Sequence, residues 1–161
     1  MEHSDDEIHY PTVGDVVSIH DNIIEEEPDS EPGIEDEDRI EFVLEYIEHG
    51  HFGSVPRTIH EKAFHLMRLL AANHLFVDGN KRTALNTTVV FYALNGVRLE
   101  YGEDVRSILK LFSVREDLLD QTATVDYLSE RTNYLESTEL VDVFDNRTLL
   151  DIEVNQCDPN S

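Results

Sequence analysis

A chain of 161 residues with 40% hydrophobic content has enough apolar side chain for one domain with a single core, and two independent domains are not expected. Acidic residues outnumber Lys and Arg by 35 to 12, and the net charge of −23 opposes nucleic-acid backbones and anionic membranes. The lone Cys157 excludes an internal disulfide or thiolate cluster, no apolar run spans a bilayer, and no secretory-type progression opens the sequence. A cytoplasmic protein is expected, and a salt-adapted, halophilic cytoplasm explains so heavy a charge better than an acidic functional surface does.

Residues 1–11 are polar and end in Pro11, and residues 1–34 read as a mobile or loosely docked segment with one helix. That helix is expected from Val13 to Ile24, where Val13, Val16, Val17, Ile19, Ile23 and Ile24 recur at helical spacing. EEEPDSEPG then breaks it, as either a surface loop or a flexible linker. A second helix from about Glu35 to Glu48 carries Ile40, Val43, Leu44 and Ile47 on one stripe. HGHFGSVP, residues 49–56, is a glycine-bearing connection. Thr58 followed by Glu61 matches a capping box, so a third helix begins there and ends near Asn73.

ALNTTVVFYALNG reads as a further helix, with Leu85, Val89, Tyr92 and Ala93 aligned and Gly96 as its C-terminal cap. Its threonines and valines keep a strand reading alive. Two more helices are expected, Asp104 to Phe112 and Arg115 to about Arg131, separated by Ser113. Residues 132–161 form an extension in which LVDVFD and LLDIEV pair as short strands or stay irregular.

Charge is unevenly placed. Residues 1–48 hold 18 acids and one base, Arg39, whereas residues 57–82 hold Arg57, Lys62, Arg68, Lys81 and Arg82 against only Glu61 and Asp78. A positive region inside a negative chain ends in HLFVDGNKRTA, residues 74–84. A helix starting near Gly79 or Asn80 aims unpaired amide N–H groups into this stretch, which is an anion site by construction. Lys81 and Arg82 add cationic donors, and Gly79 lets the backbone either approach a bulky ligand or adopt a positive φ. Asp78 fits such a pocket if Mg²⁺ bridges it to phosphate, and His74 is the nearby group able to take a proton near neutral pH. Singly, each residue also fits an ordinary cap, a solvated base or a satisfied polar group.

The same residues resemble the signature loop of the Fic/Doc superfamily: His74, Phe76, Asp78, Gly79, Asn80, Lys81 and Arg82 stand at the family's spacing. The resemblance extends from about Glu35 to Leu111 and implies a mainly α helical bundle, with a catalytic core at 35–131 and a short flap before the catalytic helix. It implies His74 as the base toward a target hydroxyl, Phe76 as the anchor of the loop, and Asp78 as the Mg²⁺ ligand. Gly79, Asn80, Lys81 and Arg82 are then the nucleotide-binding set, with Asn80 and Arg82 on the phosphates. Lys81 departs from the adenylylating branch, where Gly is common, and resembles the Doc branch. That branch implies phosphoryl transfer from ATP or another nucleoside triphosphate to a Ser or Thr of a protein, for instance a translation elongation factor, with an antitoxin partner.

AMP transfer is the runner-up, a catalytically silent helical binding module is the third reading, and a homo-oligomer stays open. HGHFGSVP is the flap candidate, with His49 and His51 facing the target. An inhibitory helix of the kind other branches carry has its nearest match at Thr132, Glu136 and Ser137. His60 and His65 diverge on a helix and make a poor zinc pair. Helix-turn-helix DNA binding is opposed by the charge.

Overall fold

The computed structural model describes residues 8–135, and within them the chain is a bundle of six α-helices with one two-stranded antiparallel sheet. The elements are α1 (Val13–Glu26), α2 (Glu37–His49), α3 (Ile59–Ala72), α4 (Asn80–Leu94), β1 (Val97–Leu99), α5 (Val105–Arg115), α6 (Gln121–Glu130) and β2 (Thr132–Tyr134). No helix of the described residues is long and apolar enough to cross a membrane.

Helix starts follow local chemistry. Thr12 and Asp15 form a full capping box at α1, and Asp36 and Asp120 cap α2 and α6 through their carboxylates. Thr58 accepts the Glu61 N–H at the start of α3, but the Glu61 carboxylate returns to the Arg57 N–H, so only half of the expected box closes. The break expected at Ser113 falls later. Ser113 donates its hydroxyl to the Lys110 carbonyl and α5 runs on to Arg115, followed by a 3₁₀ turn at 116–118 before Asp120 restarts the chain as α6.

α4 is the axis of the molecule and packs against α1, α3, α5 and β1. Residues 82–93 are all buried, including Thr83, Asn86, Thr87 and Thr88, so its polar residues mark no solvent face. Asn86 and Thr88 turn their side-chain donors back onto the carbonyls of Arg82 and Ala84. Around this axis Ile40, Ile47, Leu66, Met67, Leu70, Leu75, Phe76, Leu85, Phe91, Tyr92, Leu99 and Phe112 form the main core. α1 lays Val16, Ile19, His20 and Ile23 inward, and Ile19 and Ile23 meet Val90 of α4.

Of the two readings of EEEPDSEPG, the structure has the surface loop. Its end runs beside residues 75–77, where Val77 N–H donates to the Gly33 carbonyl at 3.1 Å and Glu35 N–H to the Leu75 carbonyl at 2.7 Å. β1, a strand that the local pattern did not announce, pairs Val97, Arg98 and Leu99 with Tyr134, Asn133 and Thr132. Thr132 is therefore a strand residue, while Glu136, Ser137 and both LVDVFD and LLDIEV lie outside the described residues.

Candidate active site

The loop between α3 and α4 is held from three sides. α3 ends at Asn73, whose N–H and side-chain amide both donate to the Leu69 carbonyl, and the chain reverses at His74 with φ 48°. Few non-glycine residues hold this left-handed conformation, so the position is over-determined by its surroundings. Leu75 and Phe76 then plunge into the core and leave His74 and Val77 exposed. Asn80 reaches back across the turn: its Oδ1 accepts from the Phe76 N–H at 3.0 Å and its Nδ2 donates to the Phe76 carbonyl at 2.8 Å.

From below, His20 of α1 stacks on Phe76 with ring centroids 3.8 Å apart and donates Nε2–H to the Asp78 carbonyl at 2.7 Å. Gly79 has φ 80°, and a Cβ there would sit 3.3 Å from Ile24 Cδ1 and 3.5 Å from His20 Cδ2. Of the two uses open to Gly79, the structure shows the positive φ, and the close neighbours of the position belong to α1. Gly79, the N-cap residue of α4, has no side chain with which to cap it, in contrast to the N-cap residues of α1, α2, α3 and α6.

His74, Asp78, Gly79, Asn80, Lys81 and Arg82 all line one cavity of about 370 Å³, whose far wall includes Glu27 and Ser30. His74 makes no hydrogen bond among the described residues, and Asp78 Oδ1 accepts from the Gly79 N–H at 2.9 Å. Arg82 is only 5% exposed and is ion-paired to the Glu27 carboxylate. Glu27 thus stands where an anionic ligand of Arg82 competes with it. A second cavity, about 420 Å³, shares Lys81 and Arg82 with the first and adds Glu103, Arg106, Ser107 and Lys110 from α5 and its approach.

The positive region is assembled differently from the run at 57–82. Lys62 is buried and caps the Ile47 carbonyl at 2.7 Å, and Arg68 binds His65 and Glu116. The cations that join Lys81 and Arg82 come instead from α5. Four contributors escaped local reading: His20, Glu27, Arg106 and Lys110. His20 had a usable signal, since it shares the apolar face of α1 with Val16 and Ile23, and Arg106 and Lys110 stand four apart on one helix.

HGHFGSVP is a tight hairpin turn, not part of the cavity lining. His51 and Ser54 exchange backbone hydrogen bonds at 3.0 and 3.1 Å, and Phe52 and Gly53 between them both have positive φ. Phe52 at the tip is 95% exposed.

No group of three His, Cys, Asp or Glu side chains among the described residues converges on a metal position. Mg²⁺ does not need such a cage, because it commonly takes one or two carboxylates and completes its shell with water and phosphate oxygens. Asp78 lines the cavity and supplies a carboxylate of that kind.

The model of the Fic/DOC family matches residues 10–92, slightly more than half of the 161 residues. The chain belongs to the Fic/DOC family. Within it, the chain is homologous to a Doc-type toxin: Toxin Doc of Mycolicibacterium smegmatis is 42% identical over 66 residues, which are 41% of this chain and 45% of that relative. The alignment thus spans less than half the length of either protein. The Fic/DOC match begins before α1 and ends inside α4, so it takes in His20, Glu27 and the 74–82 loop and stops short of α5.

Proposed function

We propose that this Fic/DOC protein is a Doc-like toxin that transfers a phosphoryl group from ATP or another nucleoside triphosphate to a Ser or Thr hydroxyl of a protein. The observation that carries the reading is the shared cavity: an exposed His74, without a hydrogen-bond partner among the described residues, faces the same space as Lys81, Arg82 and the start of α4, where the N-cap glycine has no side chain to cap it. Amide donors and cations hold the phosphates, and the imidazole of His74 takes the proton of the attacking hydroxyl. Asp78 is the residue to hold Mg²⁺, which when bound offsets phosphate charge and helps fix its geometry.

Asn80 acts through the loop, because its amide already grips both backbone atoms of Phe76. Its removal should disturb His74 and Asp78 together. Arg82 serves the phosphates once Glu27 yields part of its guanidinium. Lys81 places an extended cation where the adenylylating pattern has Gly, which favours phosphoryl over AMP transfer. Phe52 on the exposed turn gives the protein target an aromatic contact, and a translation elongation factor of the cytoplasm is the target this reading names. An antitoxin that covers the cavity completes the proposal.

Intact-mass analysis of candidate elongation factors incubated with ATP, Mg²⁺ and either wild type or His74→Ala tests it. Wild type should add about 80 Da, the mass of one phosphoryl group, and the variant nothing. A gain of about 329 Da would mean AMP transfer and end the Lys81 argument. Modification that persists in the variant removes His74 as the base.

A further inference from the structure

The second cavity contains neither His74 nor Asp78 in its lining. Eleven of the chain's Lys and Arg residues fall within the described region, and four of them, Lys81, Arg82, Arg106 and Lys110, line this one space against a single acid, Glu103. Elsewhere acids dominate, and several of the other bases are paired with carboxylates: Arg39 with Asp36, Arg115 with Asp117, Arg131 with Asp104. Lys81 and Lys110 make no ion pair with a carboxylate among the described residues. Arg82 is already paired with Glu27, yet drawing four cations around one hollow still costs Coulomb energy that a dense anion relieves.

We propose that Arg106 and Lys110 of α5, with Lys81, form a subsite for the diphosphate that leaves when the nucleotide reacts. The proposal rests on the nucleotide-transfer reading above and adds to it the direction in which the nucleotide lies. His74 and Asp78 line only the first cavity, Arg106 and Lys110 only the second, and Lys81 and Arg82 line both. A polyphosphate lying across Lys81 and Arg82 therefore presents its reacting phosphorus to His74 and its other two phosphates to α5.

In the reaction the hydroxyl oxygen forms its bond to phosphorus and its proton passes to His74. The bond from phosphorus to the bridging oxygen breaks, and that electron pair stays on the departing diphosphate, where Lys81, Arg106 and Lys110 balance the charge. The leaving group is a nucleoside diphosphate in phosphoryl transfer and inorganic pyrophosphate in AMP transfer. Both carry the same two linked phosphates, so the subsite serves either chemistry. Arg106 supplies a fork suited to two oxygens and Lys110 a mobile point charge, while Ser107 adds a hydroxyl to the lining.

The test is calorimetric titration of the full chain with inorganic pyrophosphate, ADP and AMP, each with Mg²⁺, using wild type, His74→Ala and the double variant Arg106→Gln/Lys110→Gln. Both α5 residues are exposed, so the double variant should melt with wild type. Pyrophosphate and ADP should bind wild type and His74→Ala alike and weaken about tenfold or more in the double variant, with AMP changed less than about twofold. Pyrophosphate affinity that ignores the double substitution, or AMP weakened as much as pyrophosphate, overturns the subsite. Pyrophosphate held at α5 by a chain that modifies no target sinks the transfer reading alone. A transferring enzyme whose inhibition by ADP is unchanged in the double variant sinks the subsite alone.

Discussion

Two turns, the 74–80 loop and the 50–54 hairpin, both contain residues forced into positive φ, yet they are held in opposite ways. The 74–80 loop is tied to α1 through His20, to the strand-like end of the 27–36 loop through Gly33 and Glu35, and to itself through Asn80. The 50–54 turn is bonded within itself between His51 and Ser54 and leans on the neighbouring α2 through Gly50 and the His51 ring, and its largest side chain stands in solvent. A segment fixed by several elements suits chemistry that tolerates little displacement. A turn resting on one neighbouring helix with an exposed ring at its tip suits contact with a partner that shapes itself around it.

The sharpest way to break this contrast is to untie the first loop from below. His20→Ala removes the stack on Phe76 and the bond to the Asp78 carbonyl, and should lower transfer about 100-fold while costing about 2 kcal/mol of stability in a thermal melt. Activity that survives with the stability loss would mean that His20 merely fills space. Next in size, Glu27→Gln leaves Arg82 to the ligand. Nucleotide affinity should rise severalfold and stability fall by about 1 to 3 kcal/mol, because a mostly buried cation loses the carboxylate of Glu27. An affinity unchanged by Glu27→Gln would show that the pair does not compete with phosphate.

The hairpin should respond differently. Phe52→Ala should leave the melting temperature and nucleotide affinity alone and raise the KM for the protein target about threefold to tenfold. A shift in nucleotide affinity instead would merge the two regions functionally.

The smallest effect concerns His65, which lies under the aromatic cluster with Tyr46 and accepts hydrogen bonds from Arg68. Desolvation, aided by Arg68, lowers its pKa to about 4, so the folded state prefers the neutral ring. Between pH 6.5 and 4 the unfolded chain binds the extra proton, and stability is complete above that window and lost as pH falls through it. Because the ring is partly exposed, the loss is about 1 kcal/mol or less. His65→Gln should flatten that part of the stability curve.

What the sequence made legible was whatever one element writes along itself. The stripe Ile40, Val43, Leu44, Ile47 announced α2, and all four are buried. α4 was harder, because an axis buried on every side has no polar face to set a period, and Thr87 and Thr88 mimic strand composition. β1 is three residues long and exists only through its pairing with a segment 33 or more positions away.

The same rule governs the site. HLFVDGNKRTA spelled out the loop, whereas the His20 support arrives across 58 positions, and Glu27 sits in a stretch whose prolines and acids look like solvated linker. Lys62 and Arg68 were drawn into the positive region by proximity in sequence and left it by helix geometry.

The central claim is that the loop and the first turn of α4 form a ready-made polyphosphate cradle in which Lys81 binds and His74 reacts. Titration of the full chain with Mg²⁺ and a non-hydrolysable ATP analogue, using wild type, His74→Ala and Lys81→Gln, measures it directly. The account predicts equal affinity for wild type and His74→Ala and a loss of about tenfold or more for Lys81→Gln. Affinity untouched by Lys81→Gln, or dependent on His74 instead, would contradict it.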